Sequence, residues 1–129
     1  MQTFDIHHGI TLGIAKAGAS IPSGAGNGEI IDTAGFESLE FLFQVGPFTS
    51  IAPVVILQHG DESDLSDATE VDAEEVLGSF ANVPVPLAVG KVGYIGKKQY
   101  VRIRQEAGQS LYIVIAVLGN AHTQPTADI

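Results

Sequence analysis

Residues 38–45 read Ser38-Leu39-Glu40-Phe41-Leu42-Phe43-Gln44-Val45, and their alternation decides the fold class. Successive side chains of a β-strand point to opposite sides of the sheet. Leu39, Phe41, Phe43 and Val45 therefore share one face, while Ser38, Glu40 and Gln44 fall mainly on the other. One side is core and the other meets solvent, the pattern of an antiparallel sheet packed on one face. Similar short runs, separated by Gly, Pro, Asn and Asp, recur along the chain, and no stretch of helical length carries a 3.6-residue apolar period. Strands are predicted at Phe4–His8, Ile10–Ala15, Glu29–Thr33, Ser38–Val45, Ala52–His59, Leu87–Tyr94, Tyr100–Gln105 and Ser110–Leu118. Short strands at this spacing predict an all-β chain, a single-domain antiparallel β-sandwich over residues 1–129.

Two of these strands carry further information. In Tyr100–Gln105, Val101 and Ile103 point one way and Tyr100, Arg102 and Arg104 the other, so the strand is half-buried. In Ser110–Leu118 both faces are apolar: Leu111, Ile113, Ile115 and Val117 alternate with Tyr112, Val114 and Leu118. Such a strand is expected to be central and covered on both faces, or to lie in a subunit interface.

At 129 residues the chain is long enough for a real core. Hydrophobic residues make up 45% and charged residues only 16%, with a mean hydropathy of +0.24, so surplus apolar surface is expected to be buried in a homo-oligomer, a trimer foremost. The apolar run Leu111–Leu118 falls far short of the ~20 residues of a spanning helix, so no membrane partner is expected. The N-terminal Met-Gln-Thr-Phe-Asp lacks the basic and apolar regions of a secretory signal, which implies synthesis in the cytoplasm. There is no cysteine, hence no disulfide and no thiolate chemistry. A net charge of -9 argues against nucleic acid as a partner, because phosphate affinity comes from clustered Lys and Arg.

Charge is segregated along the chain. Residues 61–75 hold eight of the 15 acidic side chains and no basic one, an expected acidic loop with a helical turn near Ala73–Leu77. Five of the six basic residues, Lys91, Lys97, Lys98, Arg102 and Arg104, follow between positions 91 and 104. The Gly- and Ser-rich segment 18–28 is expected to be a flexible surface loop, and residues 123–129 a frayed tail.

No pattern for catalysis or cofactor binding emerges. His7, His8, His59 and His122 form neither HxH nor HExxH, and neighbouring His7 and His8, if extended, face opposite sides. Asp61, Asp64 and Asp67 are spaced somewhat like a calcium loop, but the sixth-position Gly is missing and the twelfth residue is Asp72 rather than Glu. There is no GxSxG elbow, and the GAGNG run opens no helix. The reading is therefore a non-enzyme with no metal and no cofactor. The polar feature singled out is the Tyr100, Arg102, Arg104 stripe, with Lys97 and Lys98 beside it, as a subunit-contact surface meeting acid, such as residues 61–75 of a neighbouring copy.

Three segments resemble small virion structural proteins of tailed bacteriophages and prophages: GFESLEFLFQVG at 35–46, VGYIGKKQYVRIR at 92–104 and IAVLGNAH at 115–122. The acidic DESDLSDATEV at 61–71 is also similar to that family's acidic loop. The ending LGNAHTQPTADI departs from the LGHxRH type of ending seen in the family, and residues 1–34 carry no resemblance. The resemblance implies a jelly-roll-like capsid-auxiliary protein, a decoration or cement protein of the virion that binds the major capsid protein or other virion subunits. The alternatives are a carbohydrate- or receptor-binding β-sandwich of a tail assembly, disfavoured by the absence of Trp and the 7% aromatic content, and a hydrolase, disfavoured by the missing motif.

Overall fold

The computed structural model describes residues 5–16, 26–45, 54–80, 89–107 and 112–122. The chain folds as two antiparallel sheets packed face to face, an all-β sandwich. In chain order the strands are β1 (Ile10–Lys16), β2 (Gly26–Asn27), β3 (Ile31–Asp32), β4 (Phe36–Val45), β5 (Val54–Gly60), β6 (Thr69–Glu70), β7 (Val76–Leu77), β8 (Val89–Tyr94), β9 (Tyr100–Ala107) and β10 (Tyr112–Ala121). The larger sheet runs β1-β10-β4-β8-β7 and the smaller β2-β9-β5-β6, with β3 also on β9. Because β2 pairs with Arg104 and Gln105 and β3 with Tyr100 and Val101, the two short strands are successive pieces along one edge of β9.

The alternation in β4 is borne out: Leu39, Phe41 and Phe43 are buried, with Phe41 fully enclosed. Across the sandwich they meet Val101, Ile103 and Leu57 of the smaller sheet in one apolar cluster that also takes in Val92, Val114, Ala116 and Leu118. The Phe43 ring packs at a tilt on Phe80, centroids 5.1 Å apart. Each such side chain contributes about 1.5–3 kcal/mol through burial.

Several sequence expectations are corrected. Residues 7–9 form a 3-10 turn rather than part of a strand at Phe4–His8; Phe4 lies outside the described residues. The Asp5 carboxylate accepts the His7 N–H at 2.8 Å, and this bond closes a turn that extended backbone could not make. His7 and His8 are consequently stacked edge-to-face instead of pointing apart. The end of the expected 18–28 loop is strand: Gly26 and Asn27 join the sheet, and the Gly28 N–H bonds to the Ile103 carbonyl at 2.8 Å. A Cβ on Gly28 would lie 2.5 Å from the Ala15 carbonyl oxygen, so only glycine allows this crossing between the sheets. The rest of that loop, residues 18–25, and the 123–129 tail lie outside the described residues, as do 81–88 ahead of β8.

Residues 61–75 are more ordered than an acidic loop. They contain β6 and a 3-10 turn at Ala73–Glu75 that leads into β7, so the expected helical turn is a single short one. Leu65 and Val71 anchor the segment from within, both buried.

Candidate functional site

β9 carries the predicted stripe. Tyr100, Arg102 and Arg104 sit on the outer side of the smaller sheet, opposite the buried Val101 and Ile103. Their pairing partners on that side are Gly60, Gln58 and Ile56 of β5, with Asp32 and Asn27 across the other edge. Arg102 Nε donates to Gln58 Oε1 at 2.9 Å, and Arg104 donates to Asn27 Oδ1 at 2.7 Å while lying 3.3 Å from Glu106 Oε1. These bonds hold both guanidinium groups against their own sheet, where the remaining donors of each planar fork are set in a fixed orientation.

Lys97 and Lys98 lie on the turn between β8 and β9. Lys98 Nζ donates to Asp61 Oδ2 at 2.8 Å, so this lysine meets the acidic segment of its own chain. That carboxylate raises the Lys98 pKa from its ordinary value. The turn is built by Tyr94: the Lys98 backbone N–H donates to its hydroxyl at 3.0 Å, and His59 Nδ1 shares a hydrogen bond with the same oxygen at 2.8 Å. The two rings meet edge-to-face. Burial pushes the Tyr94 hydroxyl pKa up. Gly96 lets the turn pass directly over that hydroxyl. The VGYIGKK segment is thus a turn scaffold that fixes where the basic residues stand.

The acidic segment is organised by its own carboxylates. Asp67 accepts the Asp61 N–H at 2.8 Å, which holds its carboxyl below the usual carboxylate range, and Asp64 is lowered in the same way by the Ser66 N–H at 3.0 Å. These groups spend their lone pairs on backbone donors. Among the described residues no group of three His or carboxylate side chains could hold a metal ion. A cleft of about 570 Å³ lies beside the β8–β9 turn and is lined by Glu37, Glu40, Leu77, Tyr94, Lys97 and Lys98 among others.

The outer side of the larger sheet is the surface that sequence reasoning located only in part. β10 is central, flanked by β1 and β4, and its inner residues Val114, Ala116 and Leu118 are buried. Its outer residues are only partly covered by the described residues: Ile113 is 44% exposed, and Ile115 and Val117 are half-buried. The expectation of cover on both faces is not met within the single chain, because among the described residues no layer packs on that side. Register places Leu12 beside Val117, and Ile14 beside Ile115, which in turn faces Leu42. Leu12 is 62%, Ile14 58% and Leu42 42% exposed. Leu42, the residue that interrupts the alternation of 38–45, was the sequence signal for this face. No protein-family model, no curated protein and no solved structure matches the chain.

Proposed function

We propose that the chain is a capsid-auxiliary protein of a tailed-bacteriophage virion, a decoration or cement protein that acts by homo-oligomerising, as a trimer, and by binding the major capsid protein or another virion subunit, with no catalytic role. The observation that carries the reading is the pair of unlike outer faces: one sheet presents an uncovered apolar surface and the other a basic stripe held in place by in-sheet hydrogen bonds. A protein built for assembly needs such surfaces, whereas a catalyst needs an enclosed site with a perturbed acid or base.

Strand order supports the jelly-roll form of the sandwich. With β2 and β3 counted as one interrupted strand and the short β7 set aside, one sheet runs first-eighth-third-sixth and the other second-seventh-fourth-fifth. That is the order of two interlocked Greek keys. The resemblance of residues 35–46, 92–104 and 115–122 to virion proteins points the same way.

In this reading Tyr100, Arg102 and Arg104, with Lys97 and Lys98, form the contact with an acidic surface on a virion subunit. The test is binding of purified protein to undecorated capsids across a salt series. Arg102→Ala combined with Arg104→Ala is expected to weaken binding by ~2 kcal/mol, about 30-fold, and to flatten the salt dependence. An unchanged affinity in the folded double variant removes the stripe from the interface; no capsid binding by the wild-type chain removes the capsid-auxiliary reading.

A further inference from the structure

We infer that the outer face of β1, β10 and β4 is the self-association surface, and that its occupant is the same face of a second copy of this chain. The inference rests on the assembly reading above and assigns homo-oligomerisation to one sheet, leaving the other for the capsid.

Area is the first argument. Leu12, Ile14, Leu42 and Ile113 are each between 42% and 62% exposed, and the register sets them in adjacent rows with Ile115 and Val117 between them. Together they offer on the order of 400 Å² of continuous apolar surface, the size of a monomer's largest patch, which is often a functional one. A standard interface buries about 800 Å² on each side with an apolar centre and a polar rim, so this patch supplies the apolar centre, about half of that area.

Charge identifies the partner. The chain carries a net charge of -9, and eight of its 15 acidic side chains lie in residues 61–75, which lead from the smaller sheet through β6 to β7 at the far edge of the larger one. Two copies therefore carry like net charge and repel overall. On the outer face of β4 and β8 stand one acid and one base, Glu40 and Lys91, diagonal to each other across the pairing of Leu42 with Lys91 and Glu40 with Gly93. The apolar rows of β1 and β10 beside them, from Leu12 to Ile14 and from Ile113 to Val117, hold no ionisable residue. For a contact of like face with like face this is the surface whose own charges oppose the approach least, and a uniformly apolar patch is complementary to itself.

The salt dependence separates this surface from the basic stripe. Association through the apolar face, opposed by like charge, holds or tightens as salt rises; association through Arg102 and Arg104 loosens. The experiment is sedimentation equilibrium of the full chain at low and high sodium chloride, with circular dichroism melting to verify folding. The wild type is expected to be oligomeric at both salts. Leu12→Lys, on the edge strand, is expected to raise the dissociation constant at least ~10-fold with the melt unchanged, and Leu42→Lys, on a different strand, serves as the second variant. Oligomers that survive in a folded lysine variant, or that dissociate as salt rises, overturn the assignment but leave the capsid-auxiliary reading standing. A wild-type monomer at concentrations up to about 100 µM overturns both the surface and the homo-oligomer.

Discussion

Tyr94 shows how much one side chain can organise. Its ring is buried in the core cluster, while its hydroxyl accepts the Lys98 amide and pairs with His59 across the sandwich. Tyr94→Phe preserves the ring and deletes only that oxygen, leaving a largely buried imidazole nitrogen and a turn amide without their partner. The expected cost is about 1–3 kcal/mol in denaturant unfolding, together with an altered Lys98 amide resonance. A variant as stable as the wild type would show that water replaces the hydroxyl at no cost. Leu65 illustrates the opposite trade. Its backbone is left-handed (φ 53°), a conformation that costs a branched residue about 1–2 kcal/mol, and burial of its side chain at 3% exposure offsets that strain.

Among elements, strands with strict alternation or unbroken apolar character were legible in the sequence, because burial of one face enforces period two. β4, β9 and β10 are of this kind, and the Tyr100–Arg102–Arg104 stripe follows from the same periodicity. The two-residue strands β2, β6 and β7 were not legible: in Gly26–Asn27 and Thr69–Glu70 no hydrophobic pattern exists, and pairing with β9 or β5 comes entirely from tertiary contact. The bond between His59 and Tyr94 spans 35 positions and leaves no local signal. The acidic segment looked like a solvated run because its order comes from carboxylates that accept backbone N–H groups. That order is pH-dependent with a definite sign. Asp64 and Asp67 titrate lower in the folded chain than the ordinary 3.8, so their contribution is complete above that value and is lost as pH falls through the lower folded pKa values. Amide chemical shifts of Asp61, Glu62 and Ser66 should therefore move together between about pH 5 and pH 2 while β9 amides stay in place. Independent drift at each position would mean that the carboxylates do not hold the segment.

For the whole molecule, the pairing pattern is as informative as the surfaces. Nearly every strand pairs with one distant in sequence, and β10 is wedged between β1 and β4, so the larger sheet stays split until the final strand arrives. Chains with such non-local pairing refold in milliseconds to seconds rather than microseconds, which stopped-flow fluorescence of the three tyrosines can measure. A microsecond phase that recovers the full native signal would contradict the topology. The pairing of Ile10 with Gly119 has a consequence inside a cell. Those positions are 109 residues apart, so at about 5–20 residues per second a ribosome holds β1 without its neighbour for roughly 5–20 s. Throughout that interval Leu12 and Ile14 lie on an unpaired strand, apolar and without its ladder, the kind of segment that sticks to other unfinished chains before the sheet closes.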